Sequence, residues 1–595
     1  MRFFEKVAKD ENFVGNLYEL DYTIAKVFVN DYHKILVKGL PHGCFLMAIL
    51  KDKEKQREGI LLRVIGSAEI PQTQAIIESI TDSYIKKENM NALDLDFYTR
   101  SFYQSSGLSC RILGTFFFDK NNTLAFGTDV ENFLAVHNYN VYKPQKNELE
   151  IIVNENFMSK SEAKEKIGVL RYASTQSYDK HKSYAPDIFL KTYDVIARRT
   201  AFFGMTRMGK SNTVKTIITA IEKLNQKTDK KIGQIIFDIN GEYTFSNQQD
   251  EGSIYDKFKD KIIRFTSSIS KAKCDENIRS IQYNFYSDET LKETFDLLCT
   301  LLLKDRDSDY IVKFTNVKFF EDFKKDSNEY ITQERKKVLY KCILYKANFA
   351  CGNNFKLKFA DFDEEVPKEW SINEAISHFE HEANKYKNID NDFVALYTMF
   401  ETQNYRSTYA VLMKFKDLHS PLVSDSDYKK DIDCSLREGK IVLMDLSTVS
   451  TEIQQIYIDK LCSYIFEKSM EKFTNNEDLE YIQMYFEEAH NIFPKDDKDL
   501  QNIYSRLAKE GAKLRIGISY STQEIKSITP TVLKNTENWF VFHLNNKDEI
   551  YTLEKYYDFS DFSHNIIRNN DVGFARIKTL SNNFIIPVQI EKFKV

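Results

Sequence analysis

Gly204-Met205-Thr206-Arg207-Met208-Gly209-Lys210-Ser211 satisfies the pattern G-x-x-x-x-G-K-[ST] at every fixed position. The run before it, Thr200-Ala201-Phe202-Phe203, reads as a short buried strand. After it, Val214, Ile217, Ile218, Ile221 and Leu224 recur at helical spacing. Strand, loop and helix in that order are the context a phosphate-binding loop requires. The two glycines let the backbone curl so that successive N–H groups point inward at a phosphate, and the helix N-terminus adds its partial positive charge. On this reading the nucleotide-binding stretch is Gly204, Met205, Thr206, Arg207, Met208, Gly209, Lys210, Ser211 and Asn212. Lys210 reaches the β- and γ-phosphates, and Ser211 ligates Mg²⁺.

Such a loop needs acidic partners on a neighbouring strand. One carboxylate holds the hydrated Mg²⁺, and in hydrolases a second orients or deprotonates the attacking water. Ile482-Gln483-Met484-Tyr485-Phe486-Glu487-Glu488-Ala489-His490-Asn491 supplies two adjacent carboxylates at a strand end. A further apolar run, Ile516 to Ser521, ends in Thr522-Gln523, where a polar side chain is placed to sense a γ-phosphate.

Working outward, Gln234 to Phe237, Lys261 to Phe265, Ile441 to Met444, Ile482 to Phe486, Ile516 to Tyr520 and Trp539 to Leu544 are near-continuous apolar runs, as expected of parallel strands buried on both faces. They alternate with helical patterns, which gives an α/β class with a doubly wound sheet. Between Phe265 and Ile441 lies a long helical region, read as an insertion over about 286–435. Leu291, Phe295, Leu298 and Leu302 form one stripe there, and Ser371-Ile372-Asn373-Glu374 is a capping box. His378, His381 and Glu382 have a spacing that could hold a metal, but with no complementary cluster they read as a solvated helix face. Asn546-Lys547-Asp548-Glu549 approaches the guanine-reading N-K-x-D motif but ends in Glu, so it reads as a surface turn, and ATP is the preferred nucleotide.

Upstream, short apolar runs alternate with turn signals: Ala25 to Val29, Ile35 to Val37, Ile60 to Ile65, Arg111 to Phe118 and Leu149 to Val153. They suggest a small β-rich, barrel-like domain over residues 1–162, interrupted by a helix near Thr73 to Lys87 and lacking a catalytic cluster. Residues 163–595 then form the ATPase domain.

Four features together resemble the HerA family of hexameric DNA-translocating ATPases, in the larger group with FtsK. They are the phosphate-binding loop; Asp238-Ile239-Asn240-Gly241-Glu242-Tyr243, similar to the family's D-x-x-G-E-Y; Glu487-Glu488-Ala489-His490, similar to its D-E-A-H; and Arg506-Leu507-Ala508-Lys509-Glu510-Gly511-Ala512-Lys513 running into Ser521-Thr522-Gln523. The resemblance implies a RecA-like core, a homohexameric ring with ATP and Mg²⁺ between protomers, and DNA threaded through the pore. It also implies a nuclease or sirtuin-like effector as partner, plausible in antiviral defence. It gives Lys210 to the phosphates, Ser211 and Glu487 to Mg²⁺, Glu488 to the water and Gln523 to the γ-phosphate. Where the family reads E-G-R-K this chain has Glu510-Gly511-Ala512-Lys513, so the cation acting in trans falls to Arg506, Lys513 or Arg515. The competing reading is a ring scaffold that assembles and gates an effector with little translocation.

Composition sets the outer bounds. At 595 residues the chain exceeds one core, and with 9 prolines and 19 glycines nearly all of it is expected to fold. The eight cysteines include no C-x-x-C, and no signal peptide opens the sequence, so a reducing, cytoplasmic setting is expected. The longest apolar runs, such as Cys44 to Leu50, fall short of the roughly 18 residues a membrane span needs. A net charge of -5 excludes a protein basic all over and confines any DNA contact to a local patch or pore.

Overall fold

The computed structural model describes residues 2–52, 56–71, 73–85, 103–154, 164–176, 185–228, 230–246, 252–267, 277–302, 308–318, 327–352, 355–359, 368–403, 406–421, 428–493 and 502–595. Two sheets dominate it. The first contains β1 (Phe13–Leu20), β2 (Ile24–Asn30), β3 (Phe45–Leu50), β4 (Glu58–Ala68), β5 (Ser105–Phe118), β6 (Leu124–Gly127) and β7 (Tyr139–Tyr142). Its order is β2-β1-β7-β3-β4-β5-β6, and a further pairing of β2 with β5, from Ile24 opposite Arg111 to Asn30 opposite Ser105, closes six of the strands into an antiparallel barrel.

Two of the runs expected to be strands here are helical. Ile35 and Leu36 lie in the helix Asp31–Leu36, which Asn30 caps by accepting a hydrogen bond from the Tyr32 amide, and Val37 closes it. Leu149 to Val153 lie in the helix Lys146–Val153, burying Leu149, Ile152 and Val153 at helical spacing. A short apolar run carries no period of its own, so the local start signal and burial decide between strand and helix. The helical segment expected near Thr73 is present as Thr73–Ile85.

The second sheet begins with β8 (Lys164–Leu170), β9 (Asp187–Lys191), β10 (Arg199–Phe203), β11 (Ile232–Asp238), β12 (Ile262–Thr266) and β13 (Ile278–Ser280). Helices follow, among them Leu291–Leu302, which buries Leu291, Phe295, Leu298 and Leu302, and Ile372–His381, whose capping box between Ser371 and Glu374 is formed in both directions. Two small antiparallel pairs accompany them, β14 (Lys356–Phe359) with β15 (Lys368–Ser371) and β16 (Thr402–Gln403) with β17 (Arg406–Ser407). The main sheet resumes with β18 (Ile441–Asp445), β19 (Tyr481–Phe486), β20 (Ile516–Thr522), β21 (Asn538–Val541), β22 (Phe574–Lys578) and β23 (Ile586–Ile590).

Its twelve strands run β13-β12-β18-β11-β19-β20-β10-β21-β22-β23-β8-β9. From β13 to β21 every neighbour is parallel, and from β21 onward every neighbour is antiparallel. The parallel half is the α/β core: β10, β11, β12 and β18 are buried at every residue, as strands covered on both faces must be. The antiparallel extension joins two strands that precede the phosphate-binding loop to two near the C-terminus. β8 and β9 are part-buried and lack a continuous apolar run, so the sequence pattern does not mark them as strands.

Barrel and motor share an apolar core that includes Phe45, Leu62 and Val141 of the barrel, Val214 and Ile221 of the helix Lys210–Lys227, and Phe584 and Ile586 beside the last strands. Within it, Arg63 and Arg111 of the barrel both grip Asp561 of the motor, at 3.2 and 3.1 Å. Phe45 packs against Phe584 with the ring planes inclined by 59° and the centroids 5.3 Å apart. Among the described residues no helix is long and apolar enough to cross a membrane.

Candidate nucleotide-binding site

The C-terminal ends of β10, β11, β19 and β20 lie at one edge of the parallel sheet, with Phe203 opposite Thr522 and Phe237 opposite Phe486. An open parallel sheet binds ligands at that edge. Gly204, Glu487 and Gln523 each follow directly on one of these strand ends.

The loop after β10 is held on both sides. Gly204 donates its amide to the Thr522 carbonyl and Met205 to that of His543. A Cβ at position 204 would stand 2.7 Å from Phe542 Cβ, so a glycine is required there by space. Gly209 is required by conformation, with φ at 100° immediately before the helix Lys210–Lys227. Arg207 also has positive φ, at 63°, a strained value for a side chain with a Cβ and one concentrated at functional turns. The loop thus leads its N–H groups into the first turn of an 18-residue helix whose apolar face is anchored in the core.

Beside the loop lies a cleft of about 900 Å³, lined on one side by Lys210, Ser211, Glu242, Glu487 and Glu488. Thr206, Arg207, Gly209, Asn212 and Asn240 also line it. Gly204, Met205 and Met208 lie behind the lining and shape the loop. Lys210 is buried and folds back over its own loop, its Nζ donating to the Gly204 carbonyl at 2.6 Å and that of Met205 at 3.1 Å. Burial lowers the Lys210 pKa, while the carboxylates of Glu488, Glu487 and Glu242 oppose that shift.

Glu487 is only 5 % exposed. Burial, then the charges of Glu242 and Asp238, push its carboxyl well above the usual range, and hydrogen bonds with Tyr243 and Ser211 act the other way. Its Oε2 has no hydrogen-bond partner although it is buried. An unmatched carboxylate oxygen beside a serine hydroxyl and a second acid fits a hard divalent cation such as Mg²⁺. Ser211 and Glu487 would hold that ion, and one bound there supplies charge neutralisation for a polyphosphate.

Glu488 adopts the left-handed conformation, φ 41° and ψ 50°, which separates its carboxylate from that of Glu487 by a sharp turn of the chain. His490 Nδ1 hydrogen-bonds Thr522 Oγ1 at the end of β20, at 3.2 Å, and stands 3.4 Å from Glu488 Oε2, which is buried without a hydrogen-bond partner among the described residues. The residue of β20 that lines the cleft is Ser521; Gln523 is not among the lining residues.

The stretch after β11 supports this arrangement from behind. Asp238 Oδ2 accepts from the Tyr243 amide at 3.2 Å, the Thr244 amide at 2.9 Å and Thr244 Oγ1 at 2.6 Å. Gly241, with φ at 79°, makes the reversal that brings Glu242 and Tyr243 back to Glu487. Burial raises the Asp238 pKa to about 6, opposed by the Thr244 hydrogen bonds and reinforced by Asp445.

The three candidate cations lie away from the cleft lining. Arg506 stacks on Phe466 at 4.3 Å. Arg515 donates to the Leu479 carbonyl, covers the Tyr481 ring at 5.1 Å and sits just before β20, at the edge of the sheet opposite the loop. Lys513 is exposed. Elsewhere, His378 Nε2 pairs with the Tyr386 hydroxyl at 2.9 Å, and Asn546 caps the helix Lys547–Glu554.

Sequence reasoning missed the opposite wall of the cleft: Val572, Gly573, Gln589, Ile590 and Lys592. These belong to the turn before β22, the end of β23 and the residues after it. The only sequence signal was the cluster of turn formers Asn569-Asn570-Asp571-Val572-Gly573.

Residues 177–465 match the family model described as helicase HerA, central domain, a span that includes the phosphate-binding loop and Asp238 to Tyr243 and ends before Glu487. The probable helicase MJECL08 of Methanocaldococcus jannaschii is 23% identical over 371 residues, 61% of this chain and 60% of that protein. The chain therefore spans about three fifths of the length of that curated relative. Similar solved structures include the bacterial conjugative coupling protein TrwB, at 12% identity and a TM-score of 0.37 over 68% of this chain and 88% of that one. VirB4 of Thermoanaerobacter pseudethanolicus is similar at 11% identity and a TM-score of 0.33, over 72% and 96% of the respective chains.

Proposed function

This chain is a HerA-like P-loop ATPase, and from that premise we propose that it hydrolyses ATP to move DNA through a homohexameric ring. The observation that carries the reading is the meeting of Lys210, Ser211, Glu487 and Glu488 in one cleft at the C-terminal edge of a parallel sheet. In this mechanism Lys210 leaves its own loop carbonyls to bind the β- and γ-phosphates. Ser211 and Glu487 position Mg²⁺. Glu488, set apart by its left-handed turn, takes the proton of the attacking water, and His490, beside Glu488 and hydrogen-bonded to Thr522, carries the state of the site to β20. Ser521 and Gln523 are the candidates for sensing the γ-phosphate.

Residues 1–162 are proposed as a barrel domain that docks a nuclease or sirtuin-like effector, and residues 163–595 as the motor, with a helical insertion over about 286–435. A cytoplasmic role in antiphage defence fits such an assembly. The test is ATPase activity with and without DNA: strong stimulation by DNA supports a translocase, and its absence removes the reading. Cross-linking mass spectrometry of the native complex tests the docking, with links expected from exposed barrel lysines such as Lys9 and Lys120. Links confined to the motor would move the docking surface there.

A second reading, an ATP-binding scaffold that activates its effector, draws support from the engagement of Arg506 with Phe466 and of Arg515 with Leu479, which leaves, of the three candidate cations, the exposed Lys513. A scaffold activates its effector even with Glu488→Gln; a translocase loses that activation.

A further inference from the structure

A nucleoside triphosphate is a linear object, and the cleft has two chemically different ends. Glu242, Glu487 and Glu488 follow β11 and β19 on one side of β10 in the sheet order, and with Lys210 and Ser211 they form the end that suits the γ-phosphate and its cation. The other end, contributed from the far side of β10, has no carboxylate among its lining residues. It is built by Val572 and Gly573 before β22 and by Ile590 and Lys592 at the C-terminus. With the terminal phosphate fixed at the acidic end, the α-phosphate leaves past Asn212, and whatever it carries meets this second wall.

The wall is locked to the loop. Gly573 donates its amide to the Met208 carbonyl at 2.9 Å, and its own carbonyl accepts from Ile590 at 2.8 Å. A Cβ on Gly209 would stand 3.2 Å from Gly573 Cα, so the two backbones are in direct contact. Gly573 has φ at 77°, and a side chain there would meet Gln589 Nε2 at 2.8 Å. Asn212 ties the far side: its Nδ2 donates to the Glu591 carbonyl at 2.9 Å, and its Oδ1 accepts from the Phe593 amide at 2.7 Å. Gln589 spans the turn, donating to the Val572 carbonyl at 3.0 Å while Arg171 holds its Oε1.

On this rigid support Val572 is 64 % exposed, and Lys592 lines the same cleft. An exposed apolar side chain held by a fixed backbone beside a cation is the chemistry that takes the face of a base and the oxygens next to it. Building on the nucleotide-site reading above, we propose that the Val572–Gly573 turn and the Ile590–Lys592 segment are the nucleoside-recognition wall of this site, with Val572 packed on the base.

The test compares MgATP with magnesium tripolyphosphate, which has the phosphates and no nucleoside, in calorimetric titrations of the full chain. Val572→Asn is expected to weaken ATP binding about tenfold, the loss of a packed apolar contact of about 1.4 kcal/mol, while tripolyphosphate binding stays within about twofold because no charge is added to the cleft. Val572→Ala should shift ATP binding in the same direction by less, and guards against a folding defect in the asparagine variant. Lys210→Ala should weaken both ligands. Unchanged ATP affinity in both Val572 variants, or an equal loss for the two ligands, overturns the wall and leaves the phosphate site standing. A wild-type chain that binds neither ligand overturns both.

Discussion

The buried Tyr243 hydroxyl hydrogen-bonds to Glu487, so the chain following β11 reaches across to the acid that ends β19. Asp238, Gly241 and Tyr243 thereby act on the cation site without lining the cleft. Removing that hydroxyl with Tyr243→Phe should loosen Glu487 and weaken Mn²⁺ or Mg²⁺ binding to the nucleotide complex by about threefold to tenfold, the worth of one hydrogen bond. Metal-free nucleotide affinity should not move. Mn²⁺ titration followed by electron paramagnetic resonance checks this, and an unaltered metal affinity would remove the link.

Lys210→Ala and Glu488→Gln should separate binding from chemistry. Loss of a charge-assisted contact is expected to weaken ATP binding about tenfold to hundredfold. The glutamine variant should keep ATP affinity and lose about a hundredfold or more in turnover, the usual contribution of a positioned base. Calorimetry and a phosphate-release assay read the two effects. Full turnover in Glu488→Gln would transfer the role of base to another group.

In a ring with shared sites, doping wild type with Glu488→Gln subunits should depress activity more steeply than their fraction. A linear decline would mean independent sites. The same mixing applied to Arg506→Ala and Arg515→Ala tests which cation serves a neighbour. Because Arg515 already holds the Leu479 carbonyl and the Tyr481 ring, its loss should lower the melting temperature and should not be rescued by intact subunits.

The pH dependence of the nucleotide-free protein follows from Asp238. Its carboxyl moves from 3.8 to about 6 on folding, so the neutral form favours the folded state. That contribution is full below about pH 4 and is lost as pH rises through about 6. Glu487 is raised as well and adds to the same trend. The melting temperature without nucleotide should therefore fall between about pH 4 and pH 6, and Asp238→Asn should flatten part of that slope. A slope identical in the variant would assign the effect to other groups.

Asp561 is 6 % exposed and faces two arginines, Arg63 at 3 % and Arg111 at 33 %. Asp561→Ala would leave a buried guanidinium uncompensated and should destabilise the junction of barrel and motor by about 3–5 kcal/mol. Differential scanning calorimetry should then show the barrel melting apart from the motor. A single unshifted transition would mean that the apolar contacts around Phe45 and Phe584 suffice.

One side of the cleft was legible because its parts are local: Gly204 to Ser211 is one unbroken motif, and Glu487 and Glu488 directly follow an apolar strand. The parallel strands were legible as well, since burial on both faces leaves continuous apolar runs such as Ile441 to Met444. What escaped depends on distant partners. Ile35 and Leu149 sit in apolar stretches too short to show a period, and local caps and burial turned both into helix. Val572, Gly573 and Lys592 carry no pattern of their own and reach the cleft only because β22 and β23 pair beside β21. Asp561 gave no sign of its two arginines, 450 and 498 residues away along the chain.

The closure of the barrel by β2 and β5 limits how this domain can be recognised. Each of the six ring strands has a partner on both sides over part of its length, so the ring leaves only short stretches of backbone to template an incoming strand. Among the described residues those stretches are β6, four residues long and paired only with β5, and the ends of β1 and β4 that run past β7 and β3. A partner that binds by strand addition has only short places to do so, and any other must read the barrel through its side chains.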